Sequence, residues 1–278
     1  MSTSEPRIPV TAPRQLSAAY RVAEVIARPP LTLFVRRRWG GAEHLPLDRG
    51  FVACSNHLSH IDPFTLAHFL LDNGCPPRFL AKESVFRIPV LGRIVRGAGQ
   101  IPVYRETSDA ARAFSAAVDA VRCGECVAVY PEATLTRDPD LWPMAGKTGA
   151  ARIALATGCP VIPIAQWGPQ DVLAPYTRRP HLLPRHAVHV LAGPPVDLSA
   201  FADGPPDAAH LRAATDAVLD AITGLLVRLR GGTPPAERWD PRRDGRTVTG
   251  PIRPGAVPEG APDGAPDGAP DGAAEDAR

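Results

Sequence analysis

The sequence contains no apolar run long enough to cross a bilayer. The segment Leu31–Val35 is apolar, but three arginines, Arg36 to Arg38, follow it at once. A transmembrane helix needs about 18 or more consecutive apolar residues. The chain also opens without the charged and apolar regions of a secretory signal peptide. We therefore expect membrane contact to be peripheral, at the cytoplasmic side of the plasma membrane.

Cysteine is scarce, with five residues in a chain of 278. An odd number of cysteines without a signal peptide indicates a reducing compartment. Cys123 and Cys126 have the CxxC spacing, but the second pair that a zinc site requires is missing. We therefore expect no metal site and no redox role for this pair, and we interpret Cys126 as the start of a buried strand.

Two further absences narrow the function. The GxSxG elbow of the serine hydrolases does not occur in the chain. Between Arg78 and Arg105 the only acidic residue is Glu83, and this basic stretch suits phosphate or anionic lipid headgroups. Single-stranded nucleic acid would also need aromatic side chains interleaved with the basic ones, and the stretch has few. We therefore expect no nucleic-acid partner.

The formal net charge of +2 is unevenly distributed. Residues 233–278 contain nine Asp and Glu against six Arg, a charge of −3, so the rest of the chain carries +5. The same stretch contains three copies of Gly-Ala-Pro-Asp, and such a low-complexity segment cannot build a core. We predict a flexible leader over residues 1–14, one domain over 15–232 and a disordered tail over 233–278.

Within the domain, apolar runs typical of strands alternate with amphipathic stretches typical of helices. This pattern predicts an α/β fold, a single layered domain whose largely parallel central sheet is flanked by helices. The predicted strands are 50–55, 78–82, 100–105, 126–130, 161–165 and 186–191; the predicted helices are 15–28, 62–72, 108–122, 149–157 and 207–230.

The first helix is predicted to stop at Pro29-Pro30, because proline ends a helix. Two roles remain open for residues 15–40. In one, the helix and the basic segment after it rest on an anionic membrane surface; in the other, the helix packs on the domain.

The stretch Asn56–Pro63 places an imidazole and a carboxylate where a strand gives way to a helix. Asp62 is interpreted as a helix N-cap and Pro63 as the first helical residue. A bent turn would bring the Asp62 carboxylate onto one nitrogen of His57 and leave the other nitrogen free to take a proton. The alternative is that Asp62 serves only as a helix start. His60 is interpreted as a polar rim residue.

Three more stretches accompany this pair: Gly99–Arg105, Tyr130–Thr134 and Val161–Ala165. Together with the HX4D pattern in Asn56–Asp62 they resemble, in this order, the four signature blocks of the glycerolipid acyltransferase family, whose best-known members are the 1-acylglycerol-3-phosphate acyltransferases. The resemblance covers roughly residues 30 to 230 and implies a glycerol-3-phosphate acyltransferase-like fold.

The resemblance implies transfer of a fatty acyl group from acyl-CoA or acyl carrier protein to the free hydroxyl of a lysophospholipid, with 1-acylglycerol-3-phosphate giving phosphatidic acid. It implies no cofactor beyond the co-substrate. His57 and Asp62 would be catalytic. The implied substrate-binding residues are Ser59, Lys82, Arg105, Glu132, Ala133 and Thr134.

Arg105 would bind the acceptor phosphate, and Glu132 and Thr134 would bind the glycerol and phosphate region. The third block departs from the family at Ala133, where glycine is usual, and at Leu135, where arginine is usual. These departures motivate an alternative, a non-catalytic peripheral membrane protein that binds lipid on the same fold.

Overall fold

The computed structural model describes residues 16–103, 107–202 and 207–240. Arg105, the predicted leader and residues 241–278 of the predicted tail lie outside the described residues. The strands are β1 Val35–Gly40, β2 Phe51–Ser55, β3 Pro77–Lys82, β4 Ile101–Val103, β5 Cys126–Val129, β6 Val161–Trp167 and β7 His186–Ala192. The helices are α1 Ala18–Phe34, α2 Asp62–Asp72, α3 Glu83–Phe86, α4 Leu91–Gly97, α5 Thr107–Arg122, α6 Gly149–Thr157, α7 Pro169–Val172 and α8 Ala208–Arg230.

The strands form a single sheet in the order β1-β7-β6-β2-β5-β3-β4. The five strands from β6 to β4 run parallel, β7 is antiparallel to β6, and β1 is parallel to β7. The predicted fold class, α/β with a largely parallel sheet flanked by helices, is confirmed. Because β6, β2 and β5 are neighbours that run in one direction, the loops that leave their carboxyl ends meet at one edge of the sheet.

Helices cover both faces of the sheet because the central strand is apolar on both sides. In β2, Val52 and Cys54 face one core with residues of α5, α6 and α8. Phe51 and Ala53 face the opposite core, to which α2 contributes. All five residues of β2 are buried, as expected of a strand in the middle of a parallel sheet. This rigid centre carries the loop that contains His57.

The predicted end of the first helix is wrong. Helix α1 continues through Pro29 and Pro30 to Phe34. Pro29 and Pro30 have no N–H to donate to the carbonyls of Val25 and Ile26, one turn earlier. The side chains of these two residues are 70% and 61% exposed. Water can therefore reach their carbonyls. Thr32 also donates its hydroxyl to the Arg28 carbonyl. The basic segment that follows α1 forms the edge strand β1.

Helix α1 packs on the domain beside α4 and keeps an apolar outer face. Ser17 donates its hydroxyl to the Gly97 carbonyl at 2.7 Å, and the Tyr20 hydroxyl donates to the Pro77 carbonyl. Val25, Ile26 and Leu33 are exposed on the same helix. In the part of the chain that the structure describes, no helix is long and apolar enough to span a membrane.

The end of the domain also differs from the prediction. The sequence predicts that the ordered domain stops at Gly232, but residues 233–240 contact it. Arg238 forms ion pairs with Asp216 and Asp220 of α8. This segment has no apolar periodicity, so the sequence does not show that it folds back.

Candidate functional site

The residues of interest lie in loops that leave the carboxyl ends of β2, β5 and β6. The loop after β2 contains His57 and leads into α2 at Asp62. The loop after β5 contains Glu132, and β6 ends beside β2. The topology therefore brings together parts of three signature blocks that are far apart in the sequence.

His57 and Asp62 are hydrogen-bonded, as their spacing predicts. The distance from His57 Nδ1 to Asp62 Oδ2 is 2.9 Å, and the Asp62 side chain is fully buried. Because an ionised carboxylate only accepts hydrogen bonds, Nδ1 is the donor, and in the neutral ring the lone pair is then on Nε2. The remaining nitrogen is therefore in the form that a general base requires.

Asp62 does not cap its own helix, so the predicted N-cap role is wrong. Helix α2 begins at Asp62, and its N-cap is Ile61. The carboxylate turns back instead, and its Oδ2 accepts from the backbone N–H groups of Leu58 at 2.5 Å and Ser59 at 2.8 Å. One carboxylate oxygen thus fixes both the turn after β2 and the His57 ring.

The His57 ring stacks on Tyr130, the first residue after β5. The ring centroids are 4.2 Å apart, and the planes are inclined by 21°. The side chain of His57 is 15% exposed, and Nε2 has no hydrogen-bond partner within the described ranges. The stack and the bond to Asp62 together hold the ring at the carboxyl edge of the sheet.

Glu132 lies directly behind His57. Its Oε1 accepts from the His57 N–H, and its Oε2 accepts from the Met144 N–H, both at 3.0 Å. Burial raises the pKa of Glu132 to about 8, while the Met144 and His57 N–H groups act to lower that pKa. Both oxygens bond to the backbone, so the side chain ties the loop after β5 to the loop that carries His57. Its predicted contact with substrate stays a prediction.

Asn56 links the ends of β2 and β6 through both atoms of its amide. Its Oδ1 accepts from the Gln166 N–H at 2.8 Å, and its Nδ2 donates to the Gln166 carbonyl at 3.0 Å. Thr65 of α2 donates to Oε1 of Gln166 at 2.6 Å. The sequence gives no signal for the role of Gln166, because its partner is 110 positions away.

The other predicted substrate residues are distributed along the same edge. The Ser59 hydroxyl is buried, donates to the Leu173 carbonyl at 2.7 Å and accepts from the Ile61 N–H. Lys82 is exposed at the end of β3, and Thr134 is half-buried. Their contacts with substrate remain predictions.

Ala133, which stands where the family usually has glycine, adopts a left-handed backbone conformation. Its φ is +59°, in the left-handed region, and the residue is exposed. Its N–H donates to the Tyr130 carbonyl at 2.9 Å, closing the turn after β5. The alanine Cβ therefore strains the turn that carries Glu132.

We expect the substitution Ala133→Gly to raise the free energy of unfolding by about 0.5–1 kcal/mol, because relief of strain exceeds the added entropy of the unfolded chain. Urea denaturation monitored by circular dichroism measures the change. The control is Ala116→Gly on the exposed face of α5, which should lower the same free energy by about 1 kcal/mol. Equal destabilisation by both substitutions would show that Ala133 is unstrained.

The second departure, Leu135, is a buried residue with 3% exposure. The Tyr176 hydroxyl donates to the Leu135 carbonyl at 2.8 Å. The Arg137 guanidinium lies over the Tyr176 ring, 5.9 Å from its centroid. Apolar packing thus occupies the position where the family usually has an arginine.

Comparisons with known proteins agree with the four blocks. Residues 36–167 match the family model described as Acyltransferase. A chloroplastic 1-acyl-sn-glycerol-3-phosphate acyltransferase from Brassica napus is 34% identical over 135 residues, 48% of this chain and 38% of that protein. A protein of that enzyme name from Borreliella burgdorferi is 31% identical over 125 residues, 45% of this chain and 48% of that protein. The chain thus spans less than half the length of these relatives.

A solved structure provides a comparison of the fold. The 1-acyl-sn-glycerophosphate acyltransferase from Thermotoga maritima matches with a TM-score of 0.57 and 22% sequence identity. The match covers 78% of this chain and 83% of that one. The architecture is therefore shared well beyond the residues that the family model matches.

Proposed function

We propose that this protein moves a fatty acyl group from a thioester to the free hydroxyl of a lysophospholipid, because residues 36–167 match the family model described as Acyltransferase. The donor is acyl-CoA or acyl carrier protein. The acceptor is 1-acylglycerol-3-phosphate, and the product is phosphatidic acid. The relatives carry this acceptor in their names, and the basic residues along the edge of the sheet suit its phosphate.

The observation that carries the proposal is the hydrogen bond between His57 and the buried Asp62. His57 Nε2 removes the proton of the acceptor hydroxyl as its oxygen attacks the thioester carbonyl carbon. A C–O bond forms and the C–S bond breaks, and the imidazolium returns its proton to the leaving thiolate. Asp62 stabilises the imidazolium while it exists. The thioester is already activated, so no covalent acyl-enzyme is required.

The acceptor phosphate is proposed to bind where β3 and β4 end. Lys82 and Val103 are paired in register at the carboxyl ends of these two neighbouring strands. Arg105 follows Val103 by two positions in the sequence. An arginine guanidinium binds phosphate through two parallel hydrogen bonds.

We expect the substitution Arg105→Ala to raise the KM for 1-acylglycerol-3-phosphate by about 10- to 100-fold, the value of a charge-assisted hydrogen bond. The rate constant kcat should change much less. Steady-state kinetics with the acceptor varied at saturating donor measure both constants. The control Arg122→Ala removes an exposed charge at the far end of α5. An unchanged KM in the Arg105 variant would exclude the phosphate role.

We also propose that the protein binds anionic membranes through α1 and its neighbours. Val25 and Leu33 of α1 are 70% and 62% exposed, and Val90 beside α4 is 63% exposed. Exposed apolar residues next to arginines are typical of interfacial segments. Flotation with vesicles that contain anionic lipid tests this contact, and Val25→Asp should weaken it.

The reaction is tested by release of free thiol from a long-chain acyl-CoA, with and without 1-acylglycerol-3-phosphate. Acceptor-dependent release, with phosphatidic acid identified by mass spectrometry, supports the proposal. If the coenzyme thioester is inert, acyl carrier protein is the next donor. Failure with both donors and a panel of lysolipids, for a folded protein that still binds vesicles, would favour the non-catalytic alternative.

A further inference from the structure

The chain turns back after its last helix. Gly231 and Gly232, both with positive φ, end α8 and reverse the chain direction. Arg238 then reaches Asp216 and Asp220, which lie 14 and 10 residues before the helix end at Arg230. At about 1.5 Å per residue these positions are roughly 21 and 15 Å back along the helix. We call residues 231–240 the return segment; it runs antiparallel to α8.

The Arg238 side chain fixes the return segment to α8. Its guanidinium bonds the Asp216 carboxylate at 3.3 Å, the Asp216 carbonyl at 3.4 Å and the Asp220 carboxylate. The Arg238 side chain is 20% exposed, whereas the two aspartates are mostly exposed. An isolated surface ion pair contributes little, but here one guanidinium holds two carboxylates and a carbonyl.

Next to Arg238, the return segment contacts the loop of residues 142–146, which lies behind the active site. The Trp239 carbonyl accepts from the Ala145 N–H at 2.9 Å. Ala145 follows Met144, whose N–H donates to Glu132, and Glu132 in turn accepts from the His57 N–H. A continuous series of backbone and carboxylate contacts therefore leads from the return segment to His57.

The other side of this loop is packed tightly against α8. A Cβ at Gly146 would lie 3.1 to 3.3 Å from atoms of Leu219, Thr215 and Pro131. The 142–146 loop is thus held between α8, the return segment and the turn that carries Glu132. A shift of the return segment would move the Met144 N–H relative to Glu132.

We infer that Arg238 is a positioning residue for the active site. It holds the return segment so that Trp239 fixes the 142–146 loop, Met144 donates to Glu132, and Glu132 sets the position of the His57 backbone. The catalytic consequence rests on the proposed function. The structural linkage does not, because it can be measured without turnover.

The linkage is tested by hydrogen exchange and mass spectrometry on the full chain. In Arg238→Glu, a carboxylate faces Asp216 and Asp220, so the amides of Met144 and Ala145 should exchange about tenfold faster than in the wild type. The charge-matched control Arg228→Glu alters an exposed residue in the last turn of α8. Unchanged exchange at 142–146 in Arg238→Glu would overturn the inference, as would equal acceleration throughout the domain.

The catalytic part is tested by kinetics once wild-type turnover is established. Arg238→Glu should lower kcat about tenfold with little change in KM for either substrate, since a small misplacement of a catalytic group is costly. Arg238→Lys should restore most of kcat. If the kcat of Arg238→Glu is within twofold of the kcat of Arg228→Glu, the positioning role is overturned. An inactive wild type would instead refute the proposed function.

Discussion

Replacing His57 by alanine is expected to lower kcat/KM by about a thousandfold or more while the protein remains folded. A positioned general base contributes about 10²- to 10⁴-fold to the rate, and no other imidazole in the described part of the chain is hydrogen-bonded to Asp62. The His57 N–H, which bonds Glu132, is retained in the variant. The loss is therefore chemical, and it is measured by acceptor-dependent thiol release.

The matched control for this variant is His60→Ala. His60 lies three positions away in the same turn and is exposed, so its removal should leave kcat/KM within about twofold. Circular dichroism and thermal unfolding verify that both variants are folded. If the two variants lose activity equally, or if His57→Ala remains active, His57 is not the base.

The substitution Asp62→Asn is expected to lower kcat by about 10²- to 10⁴-fold, because a neutral amide cannot stabilise the imidazolium. Oδ2 of Asp62 accepts from His57 Nδ1 and from the N–H groups of Leu58 and Ser59. An amide oxygen in that place still accepts from the backbone, so the turn keeps its shape. An amide nitrogen in that place would repel all three donors and misorient the ring. Either orientation removes the charge that supports His57.

Asp72→Asn is the matched control, because Asp72 ends the same helix and pairs with Arg28 and Arg37 at the surface. Loss of these partly exposed ion pairs should cost about 1 kcal/mol of stability or less and leave kcat unchanged. Steady-state thiol release and urea denaturation separate the two effects. If Asp62→Asn keeps full kcat, the Asp62 carboxylate only anchors the turn. Its role in stabilising the His57 imidazolium would then have to be abandoned.

Secondary structure was predictable where periodicity and terminal residues agree. Helix α6 ends at Thr157, and the next residue, Gly158, has the left-handed conformation that commonly ends a helix. Helix α8 begins after Asp207, whose carboxylate caps two N–H groups. The prediction for α1 was wrong because an exposed helix can satisfy with water the carbonyls that its prolines leave without donors.

The bond between His57 and Asp62 was predictable because it is local: five positions and one turn after a buried strand place the two groups together. The sequence by itself thus determined the alternating strands and helices, the contact between His57 and Asp62, and the resemblance to the acyltransferase family. The tertiary structure decided which groups surround that pair. Glu132 reaches the His57 backbone from 75 positions away, and Asn56 reaches Gln166 from 110 positions away.

The contact between Trp239 and Ala145 likewise exists only because α8 crosses the sheet and the chain then reverses. Such contacts have no periodicity or fixed spacing in the sequence. They form between backbone groups, which every residue type carries, so the amino-acid types do not mark them. Their partners are set by strand order and loop path, and these follow from how the whole core packs.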